Sequence, residues 1–394
     1  MFKTLKHIAK ATEFMRLPEE MRKVVFYSEG KSYWPLFKGL IDGILDRSEL
    51  NVCYITSGKD DPGIEYSDNQ YKSFVIDDGY VRNWLFENMQ TDILIMTMPD
   101  LNQYQVKRSK YPVHYIYVQH ALMSLHMVYR QGAFDWFDTV FCSGPHHVHE
   151  IRCLEEKYNL PQKKLLKHGY ARLDSIIKYK QQRKVDNEFK HALFAPSWGH
   201  NAAIELGLGD QVVEKLLSFG YKVTLRPHPQ TLKSSSKIIN EIIRKHYNNK
   251  MFIYDECISS LDSFYQSDFM ISDWSGAALE YSFGLNKPVI FLDLPKKINN
   301  PKYKEIDVVP LEVSVREDIG VIVSVDDLTP SLISSLSYTK VDSSKYIFNI
   351  GRSDFYGVKY ILDMMDDFCY KKSNQDLPSV LGKRKLERYM KLSQ

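Results

Sequence analysis

The sequence has few of the features that would assign it to several large classes of protein. Its five cysteines, at positions 53, 142, 153, 257 and 369, are scattered and form no CxxC pair. We therefore infer neither a disulfide framework nor a structural metal site. No apolar run reaches the roughly 18 residues that a membrane-spanning helix needs, and the first residues lack the apolar segment of a signal peptide. These absences predict a cytoplasmic protein.

Two glycine patterns that mark common nucleotide sites are also missing. The chain contains neither a GxGxxG turn nor a GxxxxGK[ST] loop, which argues against a Rossmann oxidoreductase and against a P-loop kinase. The formal net charge of +3 is too small to indicate nucleic acid as a partner. With 394 residues, 44% of them apolar and 13% aromatic, the chain is long enough to bury the cores of two domains of α/β size.

Short apolar strands alternate with helical stretches along most of the chain, which predicts two doubly wound parallel sheets. The predicted strands of the first half are 24–27, 52–56, 74–76, 93–97, 113–118 and 140–142. Those of the second half begin at 192, 222, 252, 269 and 289. The Lys- and Gln-rich stretch 178–187 separates the halves. We therefore predict a basic N-terminal segment at 1–23, domains at 24–184 and 185–345, and C-terminal helices with a tail at 346–394.

The stretch from residue 268 to residue 294 is the clearest local pattern. It contains an apolar strand, a polar turn from Ser272 to Gly276, a helix and a second apolar strand. Two strands joined through a helix form a right-handed βαβ unit, which binds ligands at the carboxyl ends of its strands. Ser275 can cap the helix, and the N–H groups of Gly276 and Ala277 would then stay available to an anion such as a phosphate. The alternative is a cap that only begins a helix.

Two other polar segments follow predicted strands in the second half. Arg226 has a planar guanidinium that can grip a diphosphate, and His228, between two prolines, adds a hydrogen-bond donor beside it. The alternatives are a salt bridge from Arg226 to a nearby carboxylate and a hydrogen-bonded loop histidine. The segment 195–199, Ala-Pro-Ser-Trp-Gly, ends another strand, and its Ser197 and Gly199 would supply further donors to phosphate oxygens.

The first half offers histidines for acid–base chemistry. His120 follows the strand 113–118, and an imidazole with a pKa near neutral that faces an anion site is a natural base for a hydroxyl nucleophile. A second group with nearby cysteines comprises Cys142, His146, His147, His149 and Cys153. Its spacing is not that of zinc ligands, so a metal site is the less favoured interpretation.

Two further features have a structural and a functional interpretation. Glu280 lies seven residues after Asp273, nearly two helical turns, so it could reach ribose hydroxyls or simply face solvent. The segment from His168 to Asp174 contains a glycine turn between the halves. We interpret its Tyr170, Arg172 and Asp174 as parts of a hinge rather than as ligand contacts.

Both termini of the sequence are basic. After Tyr370 the tail has seven lysines and arginines against two acidic residues, a balance of +5. Residues 1–10 combine Phe2, Leu5 and Ile8 with three lysines, as in a short basic amphipathic helix at an anionic lipid surface. The alternative is a pair of solvated terminal helices.

Five motifs occur in a fixed order: Gln-His at 119–120, Gly-Tyr-Ala-Arg-Leu-Asp at 169–174, Ala-Pro-Ser-Trp at 195–198, Arg-Pro-His-Pro at 226–229 and Ser-Asp-Trp-Ser-Gly at 272–276. In this order, over roughly residues 113–294, the chain resembles the CDP-glycerol glycerophosphotransferases. That family builds teichoic acids and related phosphate-containing capsules on a GT-B fold. The resemblance implies two Rossmann-like doubly wound parallel-sheet domains facing across a cleft, with a C-terminal helix that returns to the first domain.

The resemblance also implies roles for individual residues. His120 corresponds to the catalytic base, and Arg226, His228, Asp273, Ser275 and Gly276 match the donor-diphosphate site. To these we add Ser197, Trp198 and Glu280 as donor-binding residues from the patterns described above. We also expect His228 to act in catalysis, by stabilising the charge on the departing group. The chain departs from the family pattern at Ala121, where the family has Gly, and at Leu125, where it has Lys. These departures leave the exact donor and acceptor open.

The function that follows is transfer of glycerol phosphate, or a related polyol phosphate, from a CDP-activated donor to a hydroxyl of a lipid-linked or growing cell-surface glycan, with release of CMP. We expect no cofactor and no essential metal ion, because positioning and fixed dipoles can stabilise the developing charge. Two alternatives remain: a GT-B glycosyltransferase or epimerase that uses a nucleotide sugar in capsule or lipopolysaccharide synthesis, and a non-catalytic nucleotide-binding scaffold. The expected location is the cytoplasm, at the inner face of the cell membrane if the basic termini bind anionic lipid.

Overall fold

The chain forms two compact units, each built around one parallel sheet. The structure is a computed structural model that describes residues 2–181, 190–257, 260–337 and 341–373. The first unit comprises Met1–His120, Arg130–Arg172 and Ile347–Gln394, and the second comprises Ala121–Tyr129 and Leu173–Tyr346. The predicted domain boundary at 184/185 and the predicted basic tail beyond residue 373 lie outside the described residues.

All strand pairs of the two sheets are parallel, and their bounds follow the apolar runs of the sequence. The strands are β1 (Val24–Ser28), β2 (Val52–Thr56), β3 (Tyr71–Val75), β4 (Ile93–Met96), β5 (His114–Val118), β6 (Thr139–Cys142) and β7 (Lys164–Lys167) in the first unit, and β8 (His191–Phe194), β9 (Lys222–Leu225), β10 (Phe252–Tyr254), β11 (Phe269–Ser272), β12 (Val289–Leu292) and β13 (Gly320–Val323) in the second. The strand orders are β3-β2-β1-β4-β5-β6-β7 and β10-β9-β8-β11-β12-β13. The predicted fold class is therefore confirmed.

Helices connect most of these strands. They are α1 (Phe2–Met15), α2 (Trp34–Arg47), α3 (Tyr80–Asn88), α4 (Leu125–Val128), α5 (Pro145–Lys157), α6 (Ala171–Gln181), α7 (Gly209–Ser218), α8 (Pro229–Ser234), α9 (Ser236–His246), α10 (Asp262–Gln266), α11 (Gly276–Leu285), α12 (Leu311–Ser314), α13 (Arg316–Ile319), α14 (Pro330–Ser335) and α15 (Ser353–Ser373). Within the part of the chain that the structure describes, no helix is long and apolar enough to cross a bilayer.

One large apolar cluster of the first unit lies between its sheet and the helices α2 and α15. Val358, Ile361 and Leu362 of α15 are buried in the same cluster as Phe37 and Leu40 of α2. Because these apolar residues recur at helical spacing, burying them against the sheet removes a continuous stripe of α15 from water. The predicted return of the C-terminal helix to the first domain is confirmed.

The core of the second unit packs helices on a sheet whose central strands are apolar on both faces. Ile271 of β11, Ile290 of β12 and Leu225 of β9 are fully buried, together with Val212 and Leu216 of α7. Strands covered on both faces need near-continuous apolar runs, which is why β11 and β12 were recognisable from sequence. The helix α11 between them is itself almost wholly buried.

A short segment interrupts the first unit. Ala121–Tyr129 follows His120 directly and belongs to the second unit. Its backbone N–H at Ser124 and the Ser124 hydroxyl donate to the two carboxylate oxygens of Glu312, at 2.8 and 2.7 Å. The side chain of Asn300 donates to the His126 carbonyl at 2.9 Å. These buried contacts fix the segment on the second unit, although both of its ends join the first.

Candidate functional site

Three predicted motifs meet at the carboxyl edge of the second sheet. The strands β9, β8 and β11 are neighbours in that order. Parallel strands all end at the same edge, so the loops that follow them are adjacent. The loop after β8 carries Ser197 and Trp198, the loop after β9 carries Arg226 and His228, and the turn after β11 leads into α11. The structure thus brings together residues that are up to 79 positions apart in the motifs, from Ser197 to Gly276.

Asp273 joins two of these loops. Its carboxylate accepts hydrogen bonds from the backbone N–H groups of Ser197 at 2.6 Å and of Ala203 at 2.9 Å. The side chain is 1% exposed. Charge-assisted bonds of this kind are among the stronger ones in a protein interior. Asp273 therefore shapes the loop that carries Trp198, and both of its oxygens are engaged within the protein.

The start of α11 differs from the prediction in one respect. The Ser275 hydroxyl does cap the helix, but it accepts its bond from the Ala277 N–H at 3.3 Å, so this group is not available to an anion. A serine cap satisfies one of the first N–H groups of a helix, which the prediction had left open. The Gly276 N–H forms no hydrogen bond with the described residues, and the Met123 side chain lies 3.5 Å from the place that a Cβ on Gly276 would take.

His228 is held as a neutral donor. Its Nδ1 accepts a hydrogen bond from the Gln230 N–H at 3.1 Å, so Nδ1 carries no hydrogen and Nε2 carries one. The ring stacks on Trp198, with centroids 5.8 Å apart and planes at 29°. Burial, together with the nearby charge of Lys297, lowers the pKa of His228 to about 3. The ring thus stays neutral near pH 7, with Nε2–H as a donor beside Trp198.

Arg226 is engaged by its neighbours. Its Nη1 forms an ion pair with Asp255 at 3.3 Å and donates to the Ser263 hydroxyl at 2.6 Å. The guanidinium also lies 5.0 Å from the centre of the Phe264 ring. Asp255 follows β10, the strand next to β9, so this ion pair is the salt bridge predicted as the alternative to a ligand contact. A direct role in donor binding stays a prediction.

Two cations near the same edge were not predicted. Lys297, in the loop after β12, places its ammonium 4.3 Å from the centre of the Trp198 ring. Burial lowers its pKa to about 8, against the opposite effect of Asp273 and Glu205. Arg316 lies 3.9 Å from the centre of the Trp274 ring and is 3% exposed. Neither belongs to a sequence motif. Lys297 contacts the loop after β8 from the loop after β12, and Arg316, the first residue of α13, contacts the turn after β11.

Arg316 supports the turn that contains Trp274. Its Nη2 donates to the Leu292 carbonyl at 3.2 Å, and the Phe291 ring lies on another side of it, 4.4 Å away. Its Nε has no hydrogen-bond partner among the described residues. Burial lowers the pKa of Arg316 to about 10, and Asp273 opposes this effect. The guanidinium therefore stays charged at neutral pH.

Glu280 lies on α11 but does not face solvent. It is 7% exposed, so the solvent-facing alternative is wrong. The other residues of α11 from Ala278 to Leu285 are buried as well. A contact from Glu280 to a ribose stays a prediction.

His120 lies at the carboxyl edge of the first sheet, directly after β5. Its Nδ1 is 3.0 Å from the Thr97 carbonyl oxygen, and the Tyr117 hydroxyl lies at the same distance. A carbonyl can only accept, so Nδ1 carries the hydrogen and Nε2 keeps the lone pair. The Tyr33 ring packs edge-on against the imidazole, 5.7 Å between centroids. This arrangement suits Nε2 as a proton acceptor.

One of the predicted hinge residues, Tyr170, contacts the same histidine. The Tyr170 hydroxyl donates to the His120 carbonyl at 2.9 Å, and Tyr170 is 1% exposed. The preceding Gly169 has φ +103, and a Cβ there would lie 2.5 Å from the Phe348 carbonyl oxygen. Only glycine fits this position. The turn therefore supports the backbone of His120 from within the first unit.

The second histidine group does not assemble a metal site. His147 Nδ1 accepts from the Ser143 N–H at 3.2 Å, which occupies one ring nitrogen. Among the described residues, no three histidine, cysteine or acidic side chains are placed to hold a metal ion.

The sequence and the fold both have known relatives. The profile of the CDP-Glycerol:Poly(glycerophosphate) glycerophosphotransferase family matches residues 83–297, more than half of the chain. No curated protein matches. Among solved structures, a variant of the wall teichoic acid polymerase TagF soaked with CDPG is similar, with 14% identity, coverage of 94% of this chain and 98% of that chain, and a TM-score of 0.56.

Two other similar structures bind uridine nucleotides. The Methanocaldococcus jannaschii UDP-GlcNAc 2-epimerase in complex with UDP-GlcNAc and UDP has 13% identity, coverage of 86% of this chain and 99% of that chain, and a TM-score of 0.59. The S. aureus MnaA–UDP structure has 12% identity, coverage of 91% and 99%, and a TM-score of 0.58. At these identities the likeness establishes the fold, which is of the GT-B type.

Proposed function

This chain belongs to the CDP-glycerol:poly(glycerophosphate) glycerophosphotransferase family, and on that premise we propose that it moves glycerol phosphate, or a related polyol phosphate, from a CDP-activated donor to a hydroxyl of a lipid-linked or growing cell-surface glycan. Family and fold make it a glycerophosphotransferase-like enzyme of the GT-B type. The identity of the donor, the identity of the acceptor and the release of CMP are our proposal.

The proposed reaction is a phosphoryl transfer. The acceptor oxygen attacks the phosphorus that carries glycerol, and the hydroxyl proton moves to His120 Nε2. The bond between that phosphorus and the bridging oxygen breaks, and its electron pair leaves with CMP. Such transfers depend on positioning and on stabilising charge at the departing oxygen. The tautomer of His120, fixed through the Thr97 carbonyl, supports its role as the base.

The donor site in this proposal is the carboxyl edge of the second sheet. The observation that carries it is the meeting of three loops there, with a helix start at Gly276, a neutral Nε2–H donor on His228 and cations nearby. Donors of this kind suit a diphosphate. Ser197, Trp198 and Ser275 take part by forming the loops, and Asp273 by holding them in place. Glu280 is proposed as a ribose contact, and Arg226 as a support for the strand end.

The experiment is incubation of the purified protein with CDP-glycerol and a water-soluble analogue of the acceptor. Release of CMP with growth of the acceptor by glycerol phosphate supports the proposal. Release of CDP would instead indicate transfer of a sugar-like group, the activity of a glycosyltransferase. Conversion of UDP-GlcNAc without any acceptor would indicate an epimerase. Binding of nucleotide without turnover, unchanged by His120→Ala, would indicate a scaffold.

We also propose that α1 contacts an anionic membrane surface. Ala11 and Phe14 are fully buried and fix the helix on the first unit, where Phe14 packs edge-on against Phe74 at 5.6 Å. Leu5 and Ile8, by contrast, are 56% and 44% exposed. Lys6 and Lys10 are exposed on the same helix, as expected of a basic amphipathic helix on lipid. Sedimentation with vesicles that contain phosphatidylserine tests this contact.

A further inference from the structure

Lys297 follows β12 and lies outside the five sequence motifs. β12 is the neighbour of β11, so the loop that follows it reaches the same edge of the second sheet as the three motif loops. Lys297 is half-buried and places its ammonium 4.3 Å from the centre of the Trp198 ring. The ring on which it lies is also the ring that His228 stacks on.

The charge of Lys297 is not neutralised by a direct contact. Its ammonium forms no ion pair and no hydrogen bond with any residue that the structure describes. Two carboxylates act on it at longer range, Asp273 and Glu205. Asp273 already accepts two backbone N–H groups, so its oxygens are committed elsewhere. Partial burial disfavours the charged ammonium, and a bound anion would offset that cost.

We propose that Lys297 binds the diphosphate of the donor together with His228, and that it stabilises the charge that develops on the departing CMP. This inference rests on the proposed function, because it names a further residue of the same site. The Trp198 ring holds both side chains in place, one through a cation–π contact and one through stacking. Lys297 offers a full positive charge, whereas His228 offers a neutral N–H, so the two contacts differ in their response to pH.

The pH dependence follows from the groups around Lys297. Its pKa of about 8 means that the ammonium is lost as pH rises through that value, and affinity for a diphosphate is lost with it. His228, with a pKa of about 3, does not titrate in this range. Arg316, with a pKa of about 10, remains charged until higher pH. The terminal phosphate of CDP is fully ionised above about pH 7.

One other lysine titrates in the same range. Burial lowers the pKa of Lys287 to about 8 as well. It precedes β12, at the opposite edge of the sheet, and its ammonium donates to the Tyr265 carbonyl at 2.7 Å. The substitution Lys297→Arg distinguishes the two lysines. It removes the titration of Lys297 from the pH dependence of CDP binding and leaves that of Lys287 in place.

The test is calorimetric titration with CDP, and in parallel with UDP, at about pH 7 and about pH 9.5. Lys297→Met should weaken binding about 10- to 100-fold at the lower pH, as expected for a charge-assisted contact. The wild-type protein should approach the affinity of that variant at the higher pH. Lys297→Arg should bind well at both, since its guanidinium stays charged. The matched control is Lys296→Met, which removes the same charge from the exposed neighbouring residue and should bind like wild type.

Several outcomes would overturn the inference. It fails if Lys297→Met binds CDP like wild type at about pH 7, or if Lys297→Arg keeps the wild-type loss of affinity at high pH. Thermal melting establishes that each variant is folded. Binding of UDP but not CDP would contradict the proposed donor and still leave the Lys297 pattern measurable with UDP. A wild-type protein that binds neither nucleotide would contradict both proposals.

Discussion

The substitution Asp273→Asn tests whether one buried carboxylate holds the donor loops together. The side chain keeps its shape but loses its charge, and the introduced amide group can accept only one of the two N–H groups that Asp273 now binds. Either Ser197 or Ala203 would then face an N–H donor instead of an acceptor. The site is 1% exposed, so water cannot replace the lost acceptor without opening the loop.

The expected cost combines a lost charge-assisted bond with a buried N–H group that has no acceptor. The lost charge-assisted bond costs about 1.5–3 kcal/mol, and the N–H group left without an acceptor costs about 1–3 kcal/mol. Because the two effects overlap, we expect about 2–4 kcal/mol in total. The loss should appear first as local opening of the loop that contains residues 195–203. Since about 1.4 kcal/mol corresponds to a factor of ten, amide hydrogen exchange of Ser197 and Ala203 should accelerate about 30- to 700-fold.

Hydrogen exchange followed by mass spectrometry on peptides that cover residues 195–203 measures this effect directly. The control is Asp293→Asn, an exposed carboxylate after the neighbouring strand, which should change local stability by less than about 0.5 kcal/mol. The reasoning is refuted if Asp273→Asn leaves the exchange of this loop at the wild-type rate. It is also refuted if the control accelerates exchange equally, because the effect would then come from charge rather than from the two hydrogen bonds.

Three further predictions concern other parts of the molecule. His120→Ala should lower kcat about 100- to 10,000-fold in the CMP-release assay while CDP affinity stays within about twofold; an equal loss of both would contradict its role as a base. Asp255→Asn should lower the free energy of unfolding by about 2–4 kcal/mol, because it leaves the Arg226 charge buried without its ion pair, and an unchanged urea midpoint would contradict this. Leu5→Ser combined with Ile8→Ser should reduce sedimentation with anionic vesicles without changing thermal stability, whereas unchanged sedimentation would exclude α1 as the membrane contact.

The sequence was most informative where strands are buried on both faces. β2, β9, β10 and β12 have the predicted bounds or starts, because a fully apolar run between turn residues leaves few other structures. β7 was missed. Its residues, Lys164 to Lys167, are exposed or half-buried at the edge of the sheet, so they carry no apolar run. β3 begins three residues before the prediction, because the exposed Lys72 and the half-buried Ser73 interrupt the apolar run.

The positions of the motif residues were predictable, but their contacts were not. The local apolar patterns of the sequence were enough to predict that Arg226 and Asp273 each follow a strand. That Arg226 pairs with Asp255 depends on β10 lying beside β9, and sheet order is a property of the whole domain. The same applies to Ala121–Tyr129, which joins the second unit through Glu312, nearly two hundred residues away in sequence. Spacing along the chain contains no signal for such contacts.

The side chains of the Ser-Asp-Trp-Ser-Gly turn supply no positive charge for a bound diphosphate, so that charge has to come from residues outside the motifs. Asp273 holds a neighbouring loop, Trp274 donates to the Leu294 carbonyl at 2.9 Å, and the Ser275 hydroxyl caps the helix. The side chains of this turn are thus engaged within the protein, and what it offers to an anion is backbone N–H groups such as that of Gly276. Neutral N–H groups and a neutral imidazole cannot by themselves balance the charge of a dinegative diphosphate in a half-buried site. The balance requires a cation that contacts the same surface, and Lys297 on the Trp198 ring has that position.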